Sequence, residues 1–141
     1  MRVKVRVCLA LERSIEAAGL DCEALGDGLT VAIDDDTDYE PDALVNCGPP
    51  MEPDETVATN PVVVVEVLSP GSMTVDTGEK LAGYFKVPSI RHYLIVNSRR
   101  REVVHHRRDG DGIATRVVNV GTILLEPPGL SLDIVGFYAR G

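Results

Sequence analysis

The sequence predicts an α/β domain built on a mixed β-sheet flanked by helices. Three observations carry this reading. An amphipathic helical pattern opens the chain, a strand apolar on both faces lies near its middle, and a second helical segment separates that strand from a closing meander of strands. The 141 residues suit one domain around one core, here residues 1–141, with no repeat, low-complexity run or linker to divide them.

In chain order, Arg6 to Gly19 carries Val7, Ala10, Leu11, Ile15 and Ala18 at helical spacing, and Gly19 supplies a stop. Asp21 to Leu25 and Leu29 to Ile33 read as two short strands around the turn Gly26-Asp27-Gly28. An acidic loop follows, then a strand over Asp42 to Cys47 entered through Pro41, then a Pro- and acid-rich loop from Gly48 to Thr56. The run Pro61-Val62-Val63-Val64-Val65-Glu66-Val67-Leu68 is the central strand, and Ser69-Pro70-Gly71-Ser72 breaks it. Asp76, with Glu79 three residues on, forms a capping box for a helix from Thr77 to Phe85, with Leu81, Tyr84 and Phe85 toward the core. Strands over His92 to Asn97 and Glu102 to Arg107 form a hairpin across Ser98-Arg99-Arg100-Arg101. Ile113 to Val120 is a further strand, and Leu132 to Tyr138 a short closing helix.

Composition excludes several functions. No apolar stretch approaches the ~20 residues of a membrane span, and the mixed N-terminus lacks the apolar core of a signal peptide. The expectation is therefore a cytoplasmic protein with no membrane partner. The formal net charge of −8 argues against a non-specific nucleic-acid coat protein but not against a nuclease whose site needs acids. Cys8, Cys22 and Cys47 form no Cys-x-x-Cys pair and are expected to be reduced thiols. Adjacent His105 and His106 would point to opposite sheet faces, which makes them poor joint metal ligands.

The chemistry gathers around Glu66. A carboxylate inside a valine strand is costly to bury unless a metal, a partner or a proton compensates it. Glu66 shares a strand face with Val64 and Leu68. A helix packed over that face would bring Lys80 within reach, and Asp42 opens a neighbouring strand. Two carboxylates and a lysine suit Mg²⁺ (or Mn²⁺), which takes hard oxygen ligands, and they suit phosphodiester hydrolysis by a metal-activated water. Ser69 and Ser72 lack a nucleophile elbow, and Gly71 and Gly78 make no phosphate loop.

Tyr39-Glu40-Pro41-Asp42-Ala43-Leu44-Val45, then Val64-Val65-Glu66-Val67-Leu68-Ser69-Pro70, then Asp76, Lys80, Tyr84 and Tyr93-Leu94-Ile95-Val96 together resemble the Uma2 family of the PD-(D/E)xK nuclease superfamily. The resemblance implies a restriction-endonuclease-like core and an Mg²⁺-dependent DNA endonuclease. It makes Asp42, Glu66 and the Val67 carbonyl metal ligands, with Lys80 as the catalytic lysine and Tyr84 in support. The superfamily's usual lysine, two residues past the second acid, is replaced by Leu68, which is why Lys80 is nominated. The family's segment before the first helix, with its acid, has no counterpart, leaving Glu12 or Glu16 as substitutes, and Asn97 stands where aspartate is usual. Arg99, Arg100 and Arg101 are expected to meet DNA, and related nucleases suggest a homodimer. The alternative is an inactive nuclease fold serving as a binding or assembly module.

Overall fold

The computed structural model describes residues 2–72 and 77–138. Its frame is a six-stranded mixed sheet. In chain order the elements are α1 (Val3–Ala18), β1 (Cys22–Leu25), β2 (Val31–Asp34), β3 (Thr37–Tyr39), β4 (Ala43–Cys47), β5 (Pro61–Leu68), α2 (Thr77–Tyr84), β6 (His92–Asn97), β7 (Val103–Asp109), β8 (Gly112–Val118), β9 (Thr122–Leu125) and β10 (Leu130–Asp133). The large sheet runs β1-β4-β5-β6-β7-β8. Within this sheet β5 and β6 pair in parallel and the other neighbours antiparallel; the crossover between β5 and β6 carries α2. This is a restriction-endonuclease-like α/β architecture.

The valine strand sits where its composition requires. Residues 61–66 of β5 are all buried, because both sheet faces are covered. Side chains alternate between two cores. Val63 and Val65 face α1 together with Ala43, Val45, Leu94 and Val96. Val64 faces the other way with Leu44, Tyr84, Tyr93 and Ile95. Helix α1 presents Val7, Leu11 and Ile15, one stripe at i, i+4, i+8, to the first core. It ends at Gly19, whose φ of 66° is the left-handed cap that a Cβ disfavours.

Several expectations are corrected. β1 and β2 do not form a hairpin with each other. β1 pairs antiparallel with β4, and β2 pairs with β3, a strand inside the stretch expected to be an acidic loop. The reason is burial: Val31 and Tyr39 pack against the core on the α2 side, and Asp34 to Asp36 become the solvated turn of that hairpin. The closing helix is instead the strand β10 followed by a 3-10 turn over Ile134–Phe137. Leu130 and Leu132 alternate with exposed Ser131 and Asp133, a period of two that pairs with Leu125 and Ile123 of β9. Cys22 and Cys47 are not reduced thiols but a disulfide; they are register partners on β1 and β4, with Cα atoms 4.0 Å apart, and only Cys8 is free. Cysteine spacing carries no information about such a cross-strand meeting. Asp76, expected to cap α2, lies outside the described residues. The other end of α2 is held by Arg108, whose Nη2 donates to the carbonyls of Phe85, Val87 and Ile90 at 3.1, 3.0 and 2.7 Å. That fixes the helix from which Lys80 and Tyr84 reach Glu66.

Candidate functional site

The register of β4 against β5 assembles the site. Ala43 lies opposite Val65 and Leu44 opposite Val64, so one further step sets Asp42 opposite Glu66. Asp42 closes that step with its own backbone N–H, which donates to Val65 O at 2.9 Å. Its carboxylate accepts the Val67 N–H at Oδ2, 2.6 Å away. The two acids thus meet at the carboxyl end of β5, beside the end of its parallel neighbour β6.

Each helix sends one lysine to this end of the sheet. From α2, Lys80 Nζ reaches Glu66 Oε2 at 3.3 Å, and the Tyr84 hydroxyl donates to the same oxygen at 2.7 Å. From α1, on the opposite face, Lys4 Nζ reaches Asp42 Oδ1 at 3.0 Å. Two carboxylates are therefore matched by two ammonium groups. Burial pushes the Glu66 carboxyl above its usual range; Tyr84 and Lys80 pull it back, and the charge of Asp42 adds to the rise. The Lys4 ammonium is held above its usual range by its hydrogen bond to Asp42 and by that carboxylate's charge, with smaller contributions from Asp27 and Glu66. The Tyr84 phenol is raised by burial and by Glu66, so it remains a donor.

Tyrosines support the α2 side. Tyr39 packs edge-on against Tyr84 with ring centroids 5.1 Å apart, and Tyr84 lies 4.9 Å from Tyr93. Lys80 Nζ sits 5.9 Å from the Tyr39 ring centre. Gly83 makes this approach possible, since a Cβ there would lie 2.6 Å from the Tyr39 ring.

A cleft of about 380 Å³ opens beside the acids, lined by Arg2, Val3, Lys4, Val67, Ser98 and Arg99. Of the three arginines expected to meet DNA, only Arg99 lines it; Arg100 and Arg101 stand exposed on the β6–β7 turn. Asn97 shapes that turn: its Oδ1 accepts the Arg99 and Arg100 backbone N–H groups at 2.9 and 3.1 Å. An aspartate would accept the same two bonds, so the turn does not depend on the change to asparagine.

The structure thus brings Asp42, Glu66, Val67, Lys80 and Tyr84 together. It does not bring Glu12 or Glu16. Glu12 Oε2 accepts the Ala24 N–H at 3.1 Å and ties α1 to β1. Glu16 is exposed at the far end of α1, twelve residues, or roughly 18 Å, from Lys4. Lys4 was not foreseen, although one signal pointed to it. The first turn of α1 holds no acid while Arg2, Lys4 and Arg6 crowd it, against the helix dipole. Cations there need anions from elsewhere in the fold, and Asp42 is one.

Whether the pair suits a divalent ion follows from its donors. Both acids offer hard oxygens on adjacent strands, close enough that the charge of Asp42 helps to raise the Glu66 carboxyl. Among the described residues no group of three or more His, Cys, Asp or Glu side chains is placed to hold a metal ion. An ion here would rest on two carboxylates and complete its shell with backbone carbonyl and water, the habit of Mg²⁺ and not of structural zinc.

A search of curated sequences finds two uncharacterized relatives in Synechocystis sp. (strain ATCC 27184 / PCC 6803 / Kazusa). Uncharacterized protein slr1290 is 32% identical over 123 residues, covering 85% of this chain and 65% of that protein. Uncharacterized protein sll1609 is 29% identical over 75 residues, covering 52% of this chain and 42% of that protein. The chain therefore spans less than two thirds of the length of either. The family model Uma2, described as "Putative restriction endonuclease", matches residues 2–135, which include the paired acids and both lysines. This chain belongs to the Uma2 family.

Proposed function

We propose that this protein is a divalent-metal-dependent endonuclease that hydrolyses phosphodiester bonds in DNA. The observation that carries the reading is the meeting of Asp42 and Glu66 at the carboxyl end of β5, with Lys80 on Glu66. Asp42, Glu66 and the Val67 carbonyl would hold Mg²⁺ or Mn²⁺, which when bound supplies a water of lowered pKa and neutralises phosphate charge.

The remaining residues divide the work around that ion. Tyr84, donating to Glu66 Oε2, fixes the carboxylate's rotamer so that its other oxygen is free to ligate. Lys80, on the same oxygen, supplies a positive charge that orients the attacking water and offsets the charge growing on the phosphate. The Val67 N–H turns the Asp42 carboxylate toward the strand end. Arg99 and Arg2, lining the cleft, face the substrate backbone, a contact that gives affinity without sequence preference.

A second reading is an inactive binding or assembly module, and the net charge of −8 favours it, since DNA must approach an acidic protein. A plasmid-cleavage assay with Mg²⁺ or Mn²⁺ decides between them. Wild type is expected to nick DNA, and Asp42→Ala and Glu66→Ala each to lose on the order of 10³-fold in rate or more, because a lost ligand abolishes the activated water. Equal nicking by all three proteins would mark a contaminant and end the endonuclease reading.

A further inference from the structure

The Lys4–Asp42 contact lies outside the set of residues that the sequence pattern nominates. It places an ammonium group 3.0 Å from one of the two acids, on the side where the cleft opens. Each acid already holds an ammonium group without any ion: Asp42 holds Lys4, which also lies 3.8 Å from Asp27, and Glu66 holds Lys80. A dication on Asp42 would share that carboxylate with an ammonium group 3.0 Å away, and the two cations repel each other. Binding therefore favours departure of an ammonium group.

The two lysines differ in how readily they can leave. Lys80 answers a carboxylate whose side chain is 5% exposed, and it lies against the Tyr39 ring. Its departure would strand Glu66 in the core. Lys4 is the more exposed, at 46%, on a carboxylate that is itself 15% exposed, and it springs from the first turn of α1. A long flexible stem lets its ammonium swing from Asp42 into solvent or into the neighbouring cleft that it already lines.

We infer that Lys4 is the resident counter-ion of the two-acid site, held on Asp42 in the metal-free protein and displaced from it by the divalent ion. Lys4 then sets the metal affinity by competition: Asp42 serves either the ammonium or the metal. This inference rests on the metal-dependent reading of the same site.

Calorimetric titration with Mn²⁺ tests it, on wild type, Lys4→Met, Lys4→Arg and Asp42→Asn, with thermal melts confirming that each is folded. Removing the competing charge is expected to tighten Mn²⁺ binding by about tenfold in Lys4→Met. Lys4→Arg, which keeps the charge, should bind like wild type, and Asp42→Asn should lose binding. Equal or weaker binding by Lys4→Met, with Asp42→Asn still defective, overturns the counter-ion role and leaves the metal site standing. Tightening by Lys4→Arg as well would show that charge is not the cause and would also overturn it. No Mn²⁺ binding by wild type or by Lys4→Met would overturn both this inference and the metal-dependent reading.

Discussion

Two buried polar clusters lie at opposite ends of the central parallel pair, and they are built on opposite logics. At the start of β6, His92 and His105 are 2% and 4% exposed and satisfy each other. Pro127 O can only accept, so His92 donates to it from Nε2 at 2.8 Å. His92 Nδ1 is then the acceptor of the His105 Nε2–H at 2.9 Å. Both rings are neutral: burial first, then nearby positive groups such as Arg91 and Arg107, lower their pKa values to about 4. At the carboxyl end of β5, Glu66 and Asp42 are paired with Lys80 and Lys4, whose side chains are partly exposed, beside a cleft that Lys4 and Val67 line. A closed neutral pair fixes β6 against the β9–β10 turn. An open charged pair keeps lone pairs for something else. Burial of polar groups is common to both; the unfinished coordination is what distinguishes a candidate site from a structural lock.

The largest expected effect strikes the closed cluster. Its histidines have folded-state pKa values near 4, below the ~6.5 of an unfolded chain, so the unfolded state binds more protons between those values. Stability is fully present above about pH 6.5 and falls as the pH drops toward 4. Urea denaturation at pH 7.5 and pH 5 should differ by roughly 3 kcal/mol, and His92→Gln with His105→Gln should flatten that difference. Glu66, raised above its usual range, acts in the opposite sense, so Glu66→Gln should steepen the loss on acidification. A wild type equally stable at both pH values would break the distinction between the clusters.

A smaller effect tests how α2 is held over the open site. In Gly83→Ala the new methyl would lie 2.6 Å from the Tyr39 ring and 2.7 Å from its hydroxyl, forcing the ring off Tyr84 and Lys80. The cost should be about 1–3 kcal/mol of unfolding free energy, with a larger proportional loss of cleavage than Tyr39→Phe produces. Unchanged stability and activity would mean that Tyr39 does not position the helix.

The smallest effect separates stability from function within the open site. Glu66→Gln removes a buried charge while keeping a partner for Tyr84, and should be the more stable protein at pH 8 while losing Mn²⁺ binding. A marked loss of stability would move Glu66 into the class of structural locks.

Much of this was legible in the residues. Valines on both faces of residues 62–65 announced a strand buried from both sides, and Glu66 among them marked the anomaly. The stripe on α1 and the Tyr93-Leu94-Ile95-Val96 strand followed from periodicity. The acidic hairpin of β2 and β3 was not legible, because Asp34 to Asp36 mask the alternation of a strand as short as Thr37–Tyr39. Nor was β10: Leu130 to Asp133 is too short for its period of two to outweigh the helical reading of the residues after it.

By itself the sequence determined the longer elements, such as the α1 stripe and the valine strand, and nominated Asp42, Glu66 and Lys80 as candidates, because hydrophobic period and residue type act within a few residues of chain. Only the tertiary structure decided which groups meet across it. The β4–β5 register set Asp42 opposite Glu66, the cross-strand alignment joined Cys22 to Cys47, and the added first turn of α1 brought Lys4 to Asp42. The physical reason is that a charge in the chain reports its cost but not its partner. Partners are chosen when both faces of the sheet are covered and every buried group must find its complement.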